Sequence, residues 1–283
     1  MSSTDFLATE SATCEERYLP AGDGVALRAF IWTPKHASAK PPVLFVAGWV
    51  SAVEGWADLL RALAADRPVA YIESREKKSA QIDAAALKAE EFTISRMAED
   101  LIATAPHTGL PVERSLFMGS SLGATTILEA LKHGRLKPRG AFLVGPNSDF
   151  VYPWWAWPIP RAPLFLYPPV KAFVLWHLRT FRVDVEREPE QWRRYEKTIN
   201  SAEPLRLKLS VRGVEGYRVR PDLETVRVPV AVAYASTDKL HREAAVKTLV
   251  DALPRGRAVP CPTNKYMHSA ELAADVDRFV ESL

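Results

Sequence analysis

The sequence predicts an α/β architecture, with a mostly parallel central sheet and helices on both faces, on three observations. Short apolar runs rich in β-branched and aromatic residues alternate with segments of helical periodicity, as parallel strands joined by crossover helices require. Several of these runs are apolar at every position rather than at every second one, as strands covered on both faces must be. A chain of 283 residues that is 47% hydrophobic can also bury one large core.

Taken in order, Glu16 to Pro20 and Val25 to Trp32 flank Ala21-Gly22-Asp23-Gly24, whose Asp-Gly dipeptide predicts an antiparallel hairpin at the start of the sheet. The continuous runs Val43 to Val46, Val69 to Ile72, Ser115 to Met118 and Val228 to Tyr234 read as buried parallel strands, and Ala258 to Cys261 is weakly strand-like. Between them, Trp56, Leu59, Leu60 and Leu63 recur at helical spacing, as nearly do Ile94, Met97, Leu101 and Ala105. Leu272, Val276, Phe279 and Val280 repeat the pattern at the C-terminal end. Each segment offers one apolar stripe to a sheet. From Asn147 the alternation breaks, and prolines, tryptophans and arginines crowd together as far as Pro221. The expected organisation is therefore a core of residues 1–146 and 222–283, with a helical, aromatic-rich cap inserted at 147–221. No internal repeat is visible.

Composition excludes some classes. Lys and Arg number 37 against 34 Asp and Glu, a net charge of +3, too small and dispersed to predict a nucleic-acid partner. The two cysteines, Cys14 and Cys261, are far apart and lack metal-site spacing, so neither a disulfide framework nor a metal or other cofactor is expected. Met1 to Cys14 lacks the basic start and apolar stretch of a signal peptide, and no apolar run is long enough to span a bilayer. The expected location is cytoplasmic.

The chemistry centres on Gly119-Ser120-Ser121-Leu122-Gly123. A hydroxyl is a poor nucleophile at neutral pH and needs a base, a group to orient that base, and donors for the oxyanion. Ser121 follows the apolar run ending at Met118 and precedes the helical run Leu122 to Leu131. On a strand-to-helix turn this tight, side chains at the flanking positions would collide with neighbouring backbone, so Gly119 and Gly123 are required there. The plain alternative is an ordinary Gly-Ser turn.

With that motif the chain resembles the α/β-hydrolase superfamily of serine hydrolases, and within it the lysophospholipase and monoacylglycerol-lipase-like branch, from Glu16 to Leu283. The resemblance implies the order serine, acid, histidine. It places the acid at Asp238, after the strand ending at Tyr234, and the base at His268, just before the last helix. A helix N-cap is the bland role for Asp238, and a surface or packing residue for His268. His241 is the chief rival base, whereas His36, His107, His133 and His177 do not follow strands. The resemblance further implies backbone N–H donors to the oxyanion from Leu122 and from Trp49. Two departures stand out. Ala47-Gly48-Trp49 lacks the histidine usual before that glycine, and Glu73-Ser74-Arg75-Glu76-Lys77-Lys78-Ser79 lacks the Gly-His-Gly centre of a turn that is usually structural.

The cap segment is unusually aromatic. Trp154, Trp155, Trp157, Phe165, Tyr167 and Trp176 are expected to bind substrate, and apolar walls favour a small hydrophobic ester. The alternative is that they only pack the cap onto the core. Arg161, Lys171, Arg179 and Arg182 meet no acidic residue before Asp184, which adds peripheral membrane contact through the cap to the expectations. The expected activity is carboxylester hydrolysis through an acyl-enzyme on Ser121, of lipase, esterase or lysophospholipase type. An acyltransferase, a peptidase or a non-catalytic lipid- or partner-binding protein of the same fold are the alternatives. A serine where dehalogenases and epoxide hydrolases need a carboxylate argues against those branches.

Overall fold

In a computed structural model, residues 7–36, 38–238 and 243–283 are described. Eight strands form one sheet: β1 (Ala12–Pro20), β2 (Ala26–Pro34), β3 (Val43–Val46), β4 (Val69–Ile72), β5 (Leu116–Ser120), β6 (Gly140–Val144), β7 (Val230–Ala235) and β8 (Gly256–Cys261). They lie in the order β1-β2-β4-β3-β5-β6-β7-β8. The β1–β2 and β2–β4 pairs are antiparallel and all other pairs parallel. The fold is therefore α/β with a mostly parallel sheet. The predicted hairpin turns within Ala21 to Val25, where Gly22, Asp23 and Gly24 all take positive φ. One strand, β6, has no counterpart among the runs read from the sequence, although Ala141-Phe142-Leu143-Val144 is wholly apolar and bounded by Gly140 and Gly145.

Strand geometry explains the continuous apolar runs, because successive side chains point to opposite faces. On β3, Leu44 and Val46 join the layer that holds helices α2 (Ile94–Thr104), α3 (Leu122–Lys132) and α7 (Glu243–Asp251). Val43 and Phe45 join the opposite layer, with α1 (Ala57–Ala64) and α8 (Leu272–Glu281). Leu59, Leu60 and Leu63 of α1 and the four apolar positions of α8 are all buried there. Truncating one of these leucines to alanine costs about 2–5 kcal/mol, because the cavity left behind closes only partly.

Between β6 and β7 the chain forms α4 (Tyr167–His177), α5 (Pro189–Ser201) and α6 (Pro204–Val214). Its two stems are tied together: Phe150 N–H donates to Tyr217 O at 2.9 Å and Val219 N–H to Ser148 O at 3.0 Å. Helix α6 docks closely, since a Cβ on Gly213 would stand 2.5 Å from Ala89 O, and Leu209 and Val214 pack with Phe92, Met97 and Leu122. Helix α4, by contrast, has no buried residue. Among the described residues no helix is long and apolar enough to cross a membrane.

Candidate active site

Parallel strands bring their C-terminal ends to one edge of the sheet, where the loops after β3, β5, β6, β7 and β8 meet. Ser121 sits between β5 and α3 with φ 47° and ψ −115°, a conformation that costs an ordinary residue energy and lifts its Oγ out of the turn. The flanking glycines are needed for definite reasons. A Cβ on Gly123 would lie 2.3 Å from Val46 O, and one on Gly119 would lie 2.7 Å from the Ile127 side chain. The turn is pinned by Ser121 N–H donating to Val144 O at 2.9 Å and Thr125 N–H donating to Ser121 O at 3.0 Å. Asn147 Nδ2 donates to Ser121 Oγ at 3.0 Å. An amide donor there leaves the hydroxyl proton available for transfer to a base. Asn147 is itself held on the first turn of α3 through Thr125 Oγ1, which donates to Asn147 O and accepts from its N–H.

The loop after β3 carries the expected oxyanion donor Trp49 and is strained as well. Val50 has φ 49°, unusual for a β-branched residue, and its N–H donates to Glu76 Oε1 at 3.1 Å. Lys77 Nζ donates to Gly48 O at 2.7 Å, and a Cβ on Gly48 would lie 2.8 Å from Ser120 Oγ. The Trp49 indole donates to Ser210 Oγ of α6 at 2.9 Å, so its side chain fastens the loop to the inserted helices. Leu122 is buried at the head of α3, next to Leu209 of α6.

The turn that departs most from the resemblance, Glu73 to Ser79, is the support of this loop. Glu73 pairs with Arg28 through two bonds of 2.9 and 3.0 Å and also accepts from Ser79. Fully buried Arg75 forks onto Asp100 and donates to Glu91 O at 2.7 Å. Glu76 Oε1 also accepts from Ser74 Oγ at 2.8 Å. Burial holds the Lys77 ammonium below the usual lysine range, against the opposing pull of Glu76 and Glu73. Glu73 to Ser79 thus form a charged network beneath the loop after β3.

Asp238 lies buried just beyond β7, where its carboxylate accepts from Asn264 Nδ2 at 3.1 Å. Asn264 Oδ1 accepts from Arg194 of α5 at 2.6 Å, and its N–H is shared between Thr237 Oγ1 and Glu188 Oε1. His268 ends the short helical turn after β8, half-buried, its ring 3.9 Å from that of Trp56. Its Nδ1 stands 3.2 Å from Gly55 O. His241 lies outside the described residues.

The aromatic residues expected to bind substrate differ in exposure. Trp154 is 85% exposed and Phe165 78%, while Trp157 and Trp176 are each more than half exposed, so these four present much of their rings to solvent. Helix α4 buries no residue, whereas α5 and α6 reach the site through Arg194 and Ser210. Tyr167 is half-buried, its hydroxyl donating to Ile199 O at 3.5 Å. The side chain of Trp155 lies outside what is described. Residues that sequence reasoning missed are Asn147, Asn264, Arg194 and the Glu76–Lys77 pair. Asn147 could have been found from the run Ala141 to Val144, because it stands just past a strand's C-terminal end. The others act through partners distant in sequence and leave no local signal. Among the described residues no group of His, Cys, Asp or Glu could hold a metal ion.

The architecture and the glycine-flanked Ser121 turn at the sheet's C-terminal edge define the α/β-hydrolase fold. Solved structures agree. A thermophilic esterase from Thermogutta terrifontis superposes with a TM-score of 0.73 at 17% identity, over 94% of this chain and 99% of that one. An esterase from Rhodococcus sp. gives 0.72 at 19% identity, over 95% and 99%. The enol-lactonase of Burkholderia xenovorans gives 0.71 at 18%, over 94% and 97%. At such identities the likeness is one of fold. No protein-family model matches the sequence, and no curated protein matches it.

Proposed function

We propose that the protein is a serine hydrolase that cleaves hydrophobic carboxylic esters through an acyl-enzyme on Ser121, with Asp238 and His268 completing the catalytic set. The observation that carries this reading is the backbone of Ser121, held at positive φ between two glycines that tolerate no side chain. Such strain persists only where the surrounding structure enforces it, and here it exposes one hydroxyl. In the proposed reaction His268 takes the Ser121 proton, Oγ attacks the ester carbonyl carbon, and the Trp49 and Leu122 N–H groups hold the oxyanion. The C–O bond then breaks, the alcohol leaves with the proton, and water activated by the histidine releases the acid. Lipid esters of the lysophospholipase or monoacylglycerol type are the finer form of the proposal. Solved esterases and a lactonase of the same fold make ester chemistry the natural first class.

His241, three residues beyond Asp238, is the rival base that the sequence offers. Labelling with a fluorophosphonate, followed by hydrolysis of aryl, glycerol and lysophospholipid esters, tests both readings. Wild type labels and Ser121→Ala does not. His268→Ala loses about 10²-fold or more in kcat, while His241→Ala retains most activity. A folded wild type that neither labels nor hydrolyses overturns the enzyme reading. The reverse ranking of the two histidines moves the base to His241.

A further inference from the structure

We propose that the segment from Val151 to Arg182 is a membrane-docking face that seats the protein on the surface of an anionic lipid bilayer. Apart from Tyr18 and Trp49, all the large apolar side chains exposed among the described residues fall between Val151 and Phe181. Helix α4 is apolar nearly all round, with Lys171 as its sole charged residue besides His177, yet none of its residues is buried. A helix of that composition normally lies inside a protein or against lipid, and this one lies inside nothing. The exposed rings are contiguous: Phe173 meets Trp176 at 5.7 Å, and Trp176 meets Phe181 edge-on at 5.6 Å. Phe165, on the turn leading directly into α4, extends the face.

Charge decides the occupant. Between Val151 and Val183 the sequence has no Asp or Glu but carries Arg161, Lys171, Arg179 and Arg182. Only Arg161 has a described carboxylate partner, Glu215 at 2.7 Å. A second copy of this chain joined about a two-fold axis would set these cations against themselves. An anionic bilayer instead offers phosphates to the cations, an acyl boundary to Phe165, Phe173 and Phe181, and the headgroup zone that tryptophan prefers. The face belongs to the same insertion whose α5 and α6 dock onto the Ser121 edge, so docking would hold that edge close to the lipid. The proposal stands whether or not Ser121 turns over esters.

The test is sedimentation of the full chain with vesicles of phosphatidylcholine alone or mixed with phosphatidylglycerol. Tryptophan emission is read in parallel against brominated acyl chains in the mixed vesicles. Binding is expected to be at least tenfold tighter to the mixed vesicles and to weaken as salt rises. Lys171→Glu with Arg182→Glu should lower it by more than about tenfold, at about fivefold per cation removed. Phe173→Asp with Phe181→Asp should abolish it while the melting temperature holds. Absence of binding or of bromine quenching in wild type overturns the proposal without reference to any variant. So does a dimer in solution that Phe173→Asp with Phe181→Asp dissociates, since the face would then belong to a second copy.

Discussion

Replacing Glu76 with Met is the sharpest test of how the loop after β3, which carries the proposed oxyanion donor Trp49, is held. Val50 sits at φ 49° because its N–H donates to the Glu76 carboxylate at 3.1 Å. A hydrogen bond to a charged group contributes about 1.5–3 kcal/mol, and a non-glycine residue at such φ costs about 1–3 kcal/mol. The two terms are comparable, so with the carboxylate gone the strained state loses its advantage. By the rule that 1.36 kcal/mol is tenfold, the competent loop falls in population by about tenfold to a hundredfold. Only the top of that range reaches the 10²–10³ in kcat expected when an oxyanion donor is removed outright. Steady-state hydrolysis of an aryl ester should show the loss in kcat, with KM little changed. Adding Val50→Gly should restore much of the rate, since glycine adopts positive φ without strain. If Glu76→Met keeps full activity, or if Val50→Gly rescues nothing in that background, the loop does not work by this restraint.

Three further outcomes follow from the same structure. Gly123→Ala places a methyl 2.3 Å from Val46 O, so it should displace the nucleophile turn and abolish fluorophosphonate labelling, or prevent folding; a labelled, stable variant would contradict the geometry. Arg75→Met strands the buried Asp100 carboxylate, at a cost of about 3–5 kcal/mol. With an unfolding entropy of about 0.6 kcal/mol/K for a chain this long, the melting temperature should drop by about 5–8 °C. Adding Asp100→Leu should recover most of that loss, and calorimetry of the two variants decides it. The third outcome concerns acid. Desolvation pushes the Asp277 carboxyl up, but hydrogen bonds from Arg67 and Lys40 push it further down, so it lies below its ordinary value, as does Asp66. Stability from a depressed carboxylate is fully present above its unfolded pKa of about 4 and is lost as pH falls through the folded value. Melting temperature should therefore decline below about pH 4, and Asp277→Asn should flatten that decline.

Much of the fold is legible in the sequence because burial on both faces writes itself as unbroken apolar runs. Val43 to Val46 and Val69 to Ile72 match their strands residue for residue. The run at β6 is as apolar but stands directly before the irregular insertion, where a change of rhythm masks it. The Ser121 turn is equally plain, since its chemistry is local: strand, glycine, serine, glycine and helix lie within a few residues of one another. What Glu73 to Ser79 holds together is not legible locally. Its side chains find partners at Arg28, Asp100, Gly48 and Val50.

By itself the sequence determined the α/β class, the hairpin at its edge and the place of the strained serine, because each rests on periodicity or on steric demands between near neighbours. Tertiary structure alone decided which groups surround that serine and which way the cap's aromatic rings face. Asn147 reaches Ser121, and Asn264 reaches both Asp238 and Arg194, through contacts that join different strands and helices. Trp154 and Phe165 are exposed, whereas Leu209 and Val214 of α6 are buried. Composition records that a side chain is apolar, but which surface it meets depends on how the elements pack.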